Sequence, residues 1–188
     1  MDFNHYINSY NYSWLIDFIK ENGIRKNYDK NDFFSQINSI CHEIGFVEDG
    51  AFRYTSFSTD GTPHVVGYAF KNTFVCDYAS FSLQKPSEVE IDAMTECVVY
   101  CIDYNTVNKN ALSNHEFTLK AKHITELLYA DVYKRYINNH ILTAKERYID
   151  LLKRCPNLFS LVTLKEIASF LNIRPETLSR IRKNINEE

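Results

Sequence analysis

Apolar runs long enough to cross a bilayer are absent from this 188-residue sequence. A membrane-spanning helix needs about 20 consecutive apolar residues, and the N-terminal segment MDFNHYINSY also lacks the basic region and apolar core of a signal peptide. We therefore expect a cytoplasmic protein with no membrane partner. Because 45% of the residues are hydrophobic, the chain can bury a sizeable core in one large domain or two small ones.

Paired cysteine motifs are missing as well. The cysteines are odd in number and scattered, with no CxxC pair and no histidine at a zinc-finger spacing. They are Cys41, Cys76, Cys97, Cys101 and Cys155. Since most of them lie inside apolar runs, we interpret them as reduced core thiols and expect neither a metal site nor a cofactor.

Enzyme motifs are also lacking. His42 and His64 are isolated, with no His-x-His pair and no glutamate at the spacing of a metal-binding β-barrel enzyme. The serines, cysteines and histidines form no nucleophile motif. The sequence therefore predicts no enzymatic activity and no catalytic residues.

Charge is distributed unevenly along the chain, whose formal net charge is −3. Residues 143–188 hold nine Lys/Arg against six Asp/Glu, a balance of +3, so residues 1–142 carry −6. A basic C-terminal segment favours a polyanionic partner if its local geometry agrees.

Short runs rich in Phe, Tyr, Val and Thr fill residues 24–104, after a predicted helix over residues 13–21 with Ser13 as its N-cap. Turn-forming segments interrupt these runs, and Asp60-Gly61 predicts a hairpin with a type I′ turn. Several strands at this spacing predict an antiparallel barrel, roll or sandwich.

Turn residues then vanish over residues 112–139, which predicts one long helix. On it, Phe117, Ala121, Ile124 and Leu128 follow a 4-3-4 spacing. A helix of this length would project beyond a small β-domain with an exposed apolar seam, so we expect a homodimer. The alternative is that the seam packs on its own β-domain.

Two capping boxes, Thr143-Ala-Lys-Glu146 and Thr163-Leu-Lys-Glu166, predict two further helix starts. Pro156 and Asn157 indicate a connection between these helices. We therefore divide the chain into residues 1–141, a β-domain with its long helix, and residues 142–188, a helical domain.

The segment LKEIASFLNIRPETLSRIRK, which starts at Leu164, cannot form one helix because Pro175 has no amide donor and crowds the preceding turn. We predict one helix over residues 164–171 and a second over residues 175–185. Ala168 permits a close approach of the two, and Asn172 tolerates the left-handed conformation that the turn requires. This layout is typical of a helix-turn-helix.

Side chains with the chemistry to read DNA lie on the second helix. Arg180 can donate two hydrogen bonds to guanine, and Glu176 can accept one from cytosine. Lys183 and Arg182 can neutralise phosphates, and Thr177 completes the predicted DNA-binding set. The sequence thus predicts binding to double-stranded DNA. The alternative is a solvated face on an ordinary helical hairpin.

The segment LKEIASFLNIRPETLSRIRKNI, preceded by TAKERYIDLLKRCPN, resembles the DNA-binding end of CRP/FNR transcription regulators, particularly a divergent group common in Bacteroidetes. The resemblance implies an α+β fold: a jelly-roll β-domain like those that bind cyclic nucleotides, a long dimerisation helix, and a small all-α helix-turn-helix domain. It also implies a homodimer that reads a palindromic operator, with RNA polymerase as a further partner.

The chain departs from the family pattern at the effector site. Cys76-Asp77 and Ser87-Glu88 stand where the family has Gly-Glu and the Arg-Ser pair that grips the cyclic phosphate. Without that arginine the charge-assisted bonds to phosphate are lost, so we do not expect cyclic AMP. We expect another small effector, contacted by Asp77, Ser87 and Tyr133, or no effector.

Two more departures concern the helix-turn-helix. Pro175 replaces an arginine of the family, so a different operator preference is expected. The sequence ends at Glu188, so we expect a helix-turn-helix domain without a full wing. The competing interpretation of the whole chain is a sensor or protein-interaction module that does not bind DNA.

Overall fold

Antiparallel strands and helices alternate in the computed structural model, which describes residues 11–155 and 158–186. The helices are α1 (Ser13–Asn22), α2 (Tyr78–Leu83), α3 (Tyr104–Ser113), α4 (His115–Ile141), α5 (Ala144–Arg154), α6 (Leu164–Phe170) and α7 (Pro175–Asn186), with a 3₁₀ turn at Leu158–Ser160. The strands are β1 (Ile24–Tyr28), β2 (Phe33–Ser35), β3 (Glu43–Asp49), β4 (Ala51–Phe57), β5 (Pro63–Phe70), β6 (Phe74–Val75), β7 (Glu90–Ala93) and β8 (Cys97–Asp103).

The strands form two four-stranded antiparallel sheets with the orders β1-β8-β3-β6 and β2-β7-β4-β5. Val47 and Val99 from the first sheet and Phe52 and Ile91 from the second are fully buried in one apolar cluster. The predicted antiparallel roll is therefore confirmed, as two packed sheets rather than a closed barrel, and the molecule is of the α+β class.

The hairpin between β4 and β5 is confirmed, but the predicted type I′ turn is wrong. Such a turn needs a positive φ at both central residues, and only Gly61 has one, at 80°. The connection is longer because Asp60 accepts hydrogen bonds from Ser58 Oγ (2.6 Å) and Thr62 N (3.0 Å). These bonds close a wider loop instead of a two-residue turn.

The N-terminal helix is present, but Ser13 is its first residue and Tyr12 its N-cap. Its Ile19 is fully buried in a cluster with Phe46 and Ile102, so α1 packs against the roll. The segment MDFNHYINSY, which lacks the features of a signal peptide, lies outside the described residues.

The long helix begins at His115 and ends at Ile141, close to the predicted range. Asn114 caps it by accepting a hydrogen bond from Phe117 N at 3.1 Å. The sequence did not reveal α3, a separate helix that Asp103 caps through Thr106 N at 3.0 Å. It is short and mostly polar, with Val107, Ala111 and Leu112 as its aliphatic residues, so the capping aspartate was the clearest local mark of its start.

The helical domain shares its core with the outer face of the roll. Tyr148, Leu151 and Ile167 from α5 and α6 lie in one buried cluster with Val65 and Tyr68 of β5. Both predicted capping boxes are formed, at Thr143 and Thr163. Pro156 and Asn157, predicted to lie in the connection, are outside the described residues.

Candidate nucleic-acid interface

Helices α6 and α7 form the predicted pair, separated by a tight turn. Asn172 has a φ of 52°, in the left-handed region, as predicted. Two backbone hydrogen bonds close the turn, from Asn172 N to Ser169 O (2.9 Å) and from Ile173 N to Ala168 O (3.0 Å). Pro175 is the first residue of α7, where its missing amide costs no hydrogen bond.

The inner sides of the two helices are buried together. Ile167, Ala168 and Leu178 are fully buried, and Ile181 and Ile185 pack at the edge of the same cluster. Because the apolar face of α7 is buried in the core, its opposite face is exposed to solvent.

That outer face carries three of the predicted DNA-binding residues. Glu176, Arg180 and Lys183 are exposed, at spacings of four and three, and therefore share one side of α7. Thr177 is half-buried beside them. The structure thus groups one acidic and two basic side chains on the surface of the second helix.

The fifth predicted residue, Arg182, lies elsewhere on the helix. It is half-buried, and its guanidinium carbon is 4.6 Å from the ring centroid of Phe159, a cation–π contact. Sequence reasoning missed Arg174, which is exposed immediately before α7. Its position next to the predicted helix start was the signal that could have identified it.

An ion-pair network joins the helical domain to the roll. Arg53 of β4 lies 2.6 Å from Asp92 of β7 and 2.6 Å from Glu166 at the start of α6. Although burial acts in the opposite direction, hydrogen bonds from Thr163 and Arg53 hold the pKa of Glu166 below its ordinary value. The same carboxylate also completes the capping box of α6.

Two further bonds fix the position of α6 and the turn. Ser169 Oγ accepts a hydrogen bond from Val65 N of β5 at 3.0 Å. Arg147 of α5 donates to Leu142 O at 2.8 Å and to Leu171 O at 3.3 Å. These contacts link the end of α4, the edge of the roll and the turn before α7.

The apolar seam predicted on α4 is only partly covered by its own chain. Phe117 packs against Trp14 and Phe18 of α1, with ring centroids 5.6 and 4.9 Å apart. Ile124 and Leu128 line a cavity against the roll. Of the four seam residues only Phe117 is buried, whereas Ala121, Ile124 and Leu128 are half-buried. Periodicity alone cannot say what covers the rest of the seam.

The exposed face of α4 is instead aromatic. Tyr129, Tyr133 and Tyr136 stack along the helix with centroid distances of 5.8 and 6.3 Å, and His140 meets Tyr136 edge-on at 4.7 Å. These tyrosines are 67%, 51% and 59% exposed. We call Tyr129, Tyr133, Tyr136 and His140 the aromatic ladder. A row of exposed aromatic side chains is typical of an interaction surface.

A cavity of about 550 Å³ lies between α4 and the roll. Its walls are mainly apolar side chains, with a few polar groups from Tyr54, Thr125 and Arg135. Tyr78 of α2 closes one side through a hydrogen bond of 2.8 Å between its hydroxyl and Thr125 Oγ1. Arg135 is already paired with Asp131 at 3.0 Å.

Two of the three predicted effector residues contact each other at the start of α2. Asp77 caps α2 by accepting from Ser80 N (3.3 Å), and it accepts a second bond from Ser87 Oγ (2.6 Å). Ser87 is buried. Tyr133 lies apart from them in the aromatic ladder and is not among the described residues that line the cavity.

The described residues contain no cluster of three or more metal-ligating side chains. Within the same ranges, no helix is both long and apolar enough to span a membrane.

Comparison with known proteins rests on structure. No protein-family model and no curated protein sequence matches this chain. Solved structures match it over nearly its whole length. FixK2 from Bradyrhizobium japonicum superposes with a TM-score of 0.74 at 15% identity, covering 88% of this chain and 85% of that one.

Two further neighbours have the same architecture. The c-di-GMP-responsive global regulator CLP of Xanthomonas campestris gives a TM-score of 0.64 at 16% identity, covering 94% of this chain and 92% of its own. A protein from Eubacterium rectale, described as a transcriptional regulator of the CRP/FNR family, gives 0.70 at 16% identity, covering 99% and 88%. Both proteins are named as regulators, and their likeness to this chain is one of fold.

Proposed function

From this CRP/FNR-type fold, which the structural comparisons establish, we propose that the protein is a DNA-binding transcription regulator whose helix α7 enters the major groove. The observation that carries the proposal is the exposed face of α7, where Glu176, Arg180 and Lys183 stand together while the opposite face is buried. The major groove of B-DNA admits an α-helix. A helix held by its inner face offers its outer side chains to base edges and phosphates.

The side chains of this face have complementary roles. Arg180 donates two hydrogen bonds to a guanine, and Glu176 accepts one from a cytosine amino group. Lys183 and Arg174 neutralise phosphates at the two ends of the contact. Arg182, held over Phe159, and Thr177 contribute to the backbone side of the interface.

The aromatic ladder of α4 is the proposed homodimer seam. Tyrosine side chains provide large contact areas at interfaces because the ring is apolar and the hydroxyl stays hydrated. Two copies related by a two-fold axis would bury their ladders against each other. Such a dimer presents two α7 helices, which matches a palindromic operator with half-sites about one helical turn apart.

The cavity between α4 and the roll is the proposed effector site. Its volume of about 550 Å³ suits a small metabolite. Its mainly apolar walls, with Arg135 already neutralised by Asp131, favour an uncharged or weakly polar effector over cyclic AMP. A ligand there would touch α4 and also Tyr78 of α2, whose hydroxyl is hydrogen-bonded to Thr125 of α4.

Selection of genomic fragments tests the proposal. Purified protein is mixed with sheared DNA of the source genome at low salt, and the retained fragments are sequenced and footprinted. We expect a shared motif with two-fold symmetry and an affinity that falls steeply as salt rises. Retention of no fragment at low salt would contradict the proposal and favour the protein-interaction module.

A further inference from the structure

The thiols of Cys41 and Cys76 face each other in a place that DNA binding does not require. Their sulfur atoms are 4.0 Å apart. Cys41 lies just before β3 and Cys76 just after β6, and these strands are antiparallel neighbours in one sheet. We propose that this pair is a modification site at which a hydroperoxide forms an intramolecular disulfide between Cys41 and Cys76.

The backbone holds the two cysteines side by side. Cys41 N donates a hydrogen bond to Ser80 Oγ at 2.9 Å, and Cys76 N donates one to the hydroxyl of Tyr54 at 3.1 Å. Bond formation requires the sulfurs to approach by about 2 Å, because a disulfide bond is about 2 Å long. With both backbones anchored, rotation of the side chains supplies most of that movement.

The pair also lies in the wall between two hollows. Cys76 lines the cavity beneath α4, and Cys41 lines an open cleft of about 910 Å³ beside β1 and β2. Cys41 is only 2% exposed. Because so little of this thiol is exposed, a small oxidant such as hydrogen peroxide reaches it more readily than a bulky disulfide reagent does.

The two thiols have different pKa values because their environments differ. The hydrogen bond from Cys76 is the largest influence on the pKa of Cys41, and it lowers that pKa to about 7 against the effect of burial. Burial raises the pKa of Cys76 well above its ordinary value. Near neutral pH, Cys41 therefore supplies the thiolate, which is the nucleophilic form, while Cys76 keeps its proton.

The reaction balances with hydrogen peroxide as the only oxidant. The Cys41 thiolate attacks one peroxide oxygen, the O–O bond breaks, and a sulfenic acid and a hydroxide ion result; the hydroxide takes a proton from solvent and becomes the first water. The Cys76 sulfur then attacks the Cys41 sulfur, the S–O bond breaks, and the oxygen leaves as a second water with the proton of Cys76. The thiols lose two electrons, which the peroxide gains.

Cys41 Sγ also lies 3.4 Å from a carbonyl, Glu43 O, but what sets the pair apart is that each sulfur faces the other. Cys97 Sγ donates to Ala51 O (3.4 Å) and Thr95 O (3.2 Å). Cys101 lies 3.8 Å from the hydroxyl of Tyr28, and burial raises its pKa to about 11. Oxidation should therefore select Cys41 and Cys76.

Peptide mapping of the oxidised full-length protein tests the proposal. The reduced protein is treated with hydrogen peroxide at neutral pH, the remaining thiols are alkylated, and the digest is analysed by mass spectrometry. We expect one cross-linked peptide pair containing Cys41 and Cys76, with the mass of two hydrogens lost. Cys41→Ser and Cys76→Ser should each lack it. Cys97→Ser should retain it, since the serine hydroxyl finds the same carbonyl acceptors.

Three results would overturn the proposal: no cross-link in the folded protein, a cross-link to a different cysteine, or conversion of Cys41 to sulfinic acid without a partner. The mapping of the unsubstituted protein decides among them by itself, so the test holds even if a serine variant folds poorly.

Discussion

Arg53 reaches from β4 towards two carboxylates that belong to different parts of the fold. Asp92 and Glu166 each lie 2.6 Å from its guanidinium, and their side chains are 8% and 18% exposed. Removing the guanidinium would leave both carboxylates largely buried without a counter-charge. We predict that Arg53→Ala lowers the free energy of unfolding by about 3 kcal/mol, as measured by urea denaturation.

Arg25 provides the matched control for this substitution. It pairs with Glu48 at 3.4 Å on the surface, where the two side chains are 51% and 36% exposed. Exposed pairs contribute about 0 to 1 kcal/mol, so Arg25→Ala should change the unfolding free energy by no more than that. If both substitutions lowered the free energy of unfolding equally, the Arg53 network would stabilise the protein no more than an exposed ion pair does.

Glu166 makes the stability of this junction dependent on pH. Its folded-state pKa is lower than its ordinary value of 4.5, so its contribution is fully present above pH 4.5 and is lost as the pH falls through the lowered pKa. We predict that Glu166→Gln is less stable than the unsubstituted protein at pH 7, and that the difference narrows below pH 4.5. Denaturation curves across this range measure the gap, and a constant gap would refute the prediction.

The turn between α6 and α7 depends on the backbone of one residue. Asn172 has a φ of 52°, a conformation that is costly for β-branched side chains. We predict that Asn172→Val destabilises the protein by about 1 to 2 kcal/mol, whereas Asn172→Gly changes stability little. Thermal unfolding of both variants checks this, and similar stabilities would contradict the assignment of strain to the turn.

On α4, one side carries the half-buried apolar residues that line the cavity, and another side carries the aromatic ladder. Tyr133 lies between Tyr129 and Tyr136 in that ladder and is 51% exposed. If two ladders meet in the homodimer, a charge there would be buried without a partner. We predict that Tyr133→Glu shifts the protein from dimer to monomer in sedimentation equilibrium experiments.

Lys134 is the matched control on the same helix. It is exposed on a different side of α4, so Lys134→Glu should leave the dimer intact. A monomeric unsubstituted protein, or a dimer that tolerates Tyr133→Glu, would show that the ladder is not the seam.

Local signals explain which elements the sequence predicted well. The capping boxes at Thr143 and Thr163, the break at Pro175 and the turn at Asn172 depend on residues a few positions apart, and each is found where the sequence indicated. The partner of α4 depended on tertiary packing, so the spacing of its apolar residues did not reveal whether the roll or a second chain would cover them.

Local sequence patterns do not reveal contacts between distant segments of the chain. Arg53 and Glu166 are 113 positions apart, and Cys41 and Cys76 are 35 apart. Such residues are too far apart in the sequence for any periodicity to link them. The exposed face of α7 could be predicted because the apolar residues of a helix show which side is buried and therefore which side is exposed. The ion-pair network, the cavity and the facing thiols are visible only in the three-dimensional structure.

At the scale of the whole molecule, the helical domain packs directly on the roll. A shared apolar core, the Arg53 network and the bonds of Arg147 to Leu142 and Leu171 fix α7 relative to the end of α4. In a homodimer joined through α4, this connection would set the distance between two recognition helices. A small effector that moves α4 would therefore alter the spacing with which the dimer meets its operator.

The most direct test of the account is the affinity of Arg180→Ala for the selected operator, measured by fluorescence anisotropy. Arg180 is exposed on α7, so its removal should not unfold the protein. The account predicts a loss of about 1 to 3 kcal/mol, or roughly one to two orders of magnitude in affinity, with little change on unrelated DNA. Arg25→Ala, an exposed arginine on the roll, should bind normally. Unchanged affinity of Arg180→Ala for the operator would contradict the account.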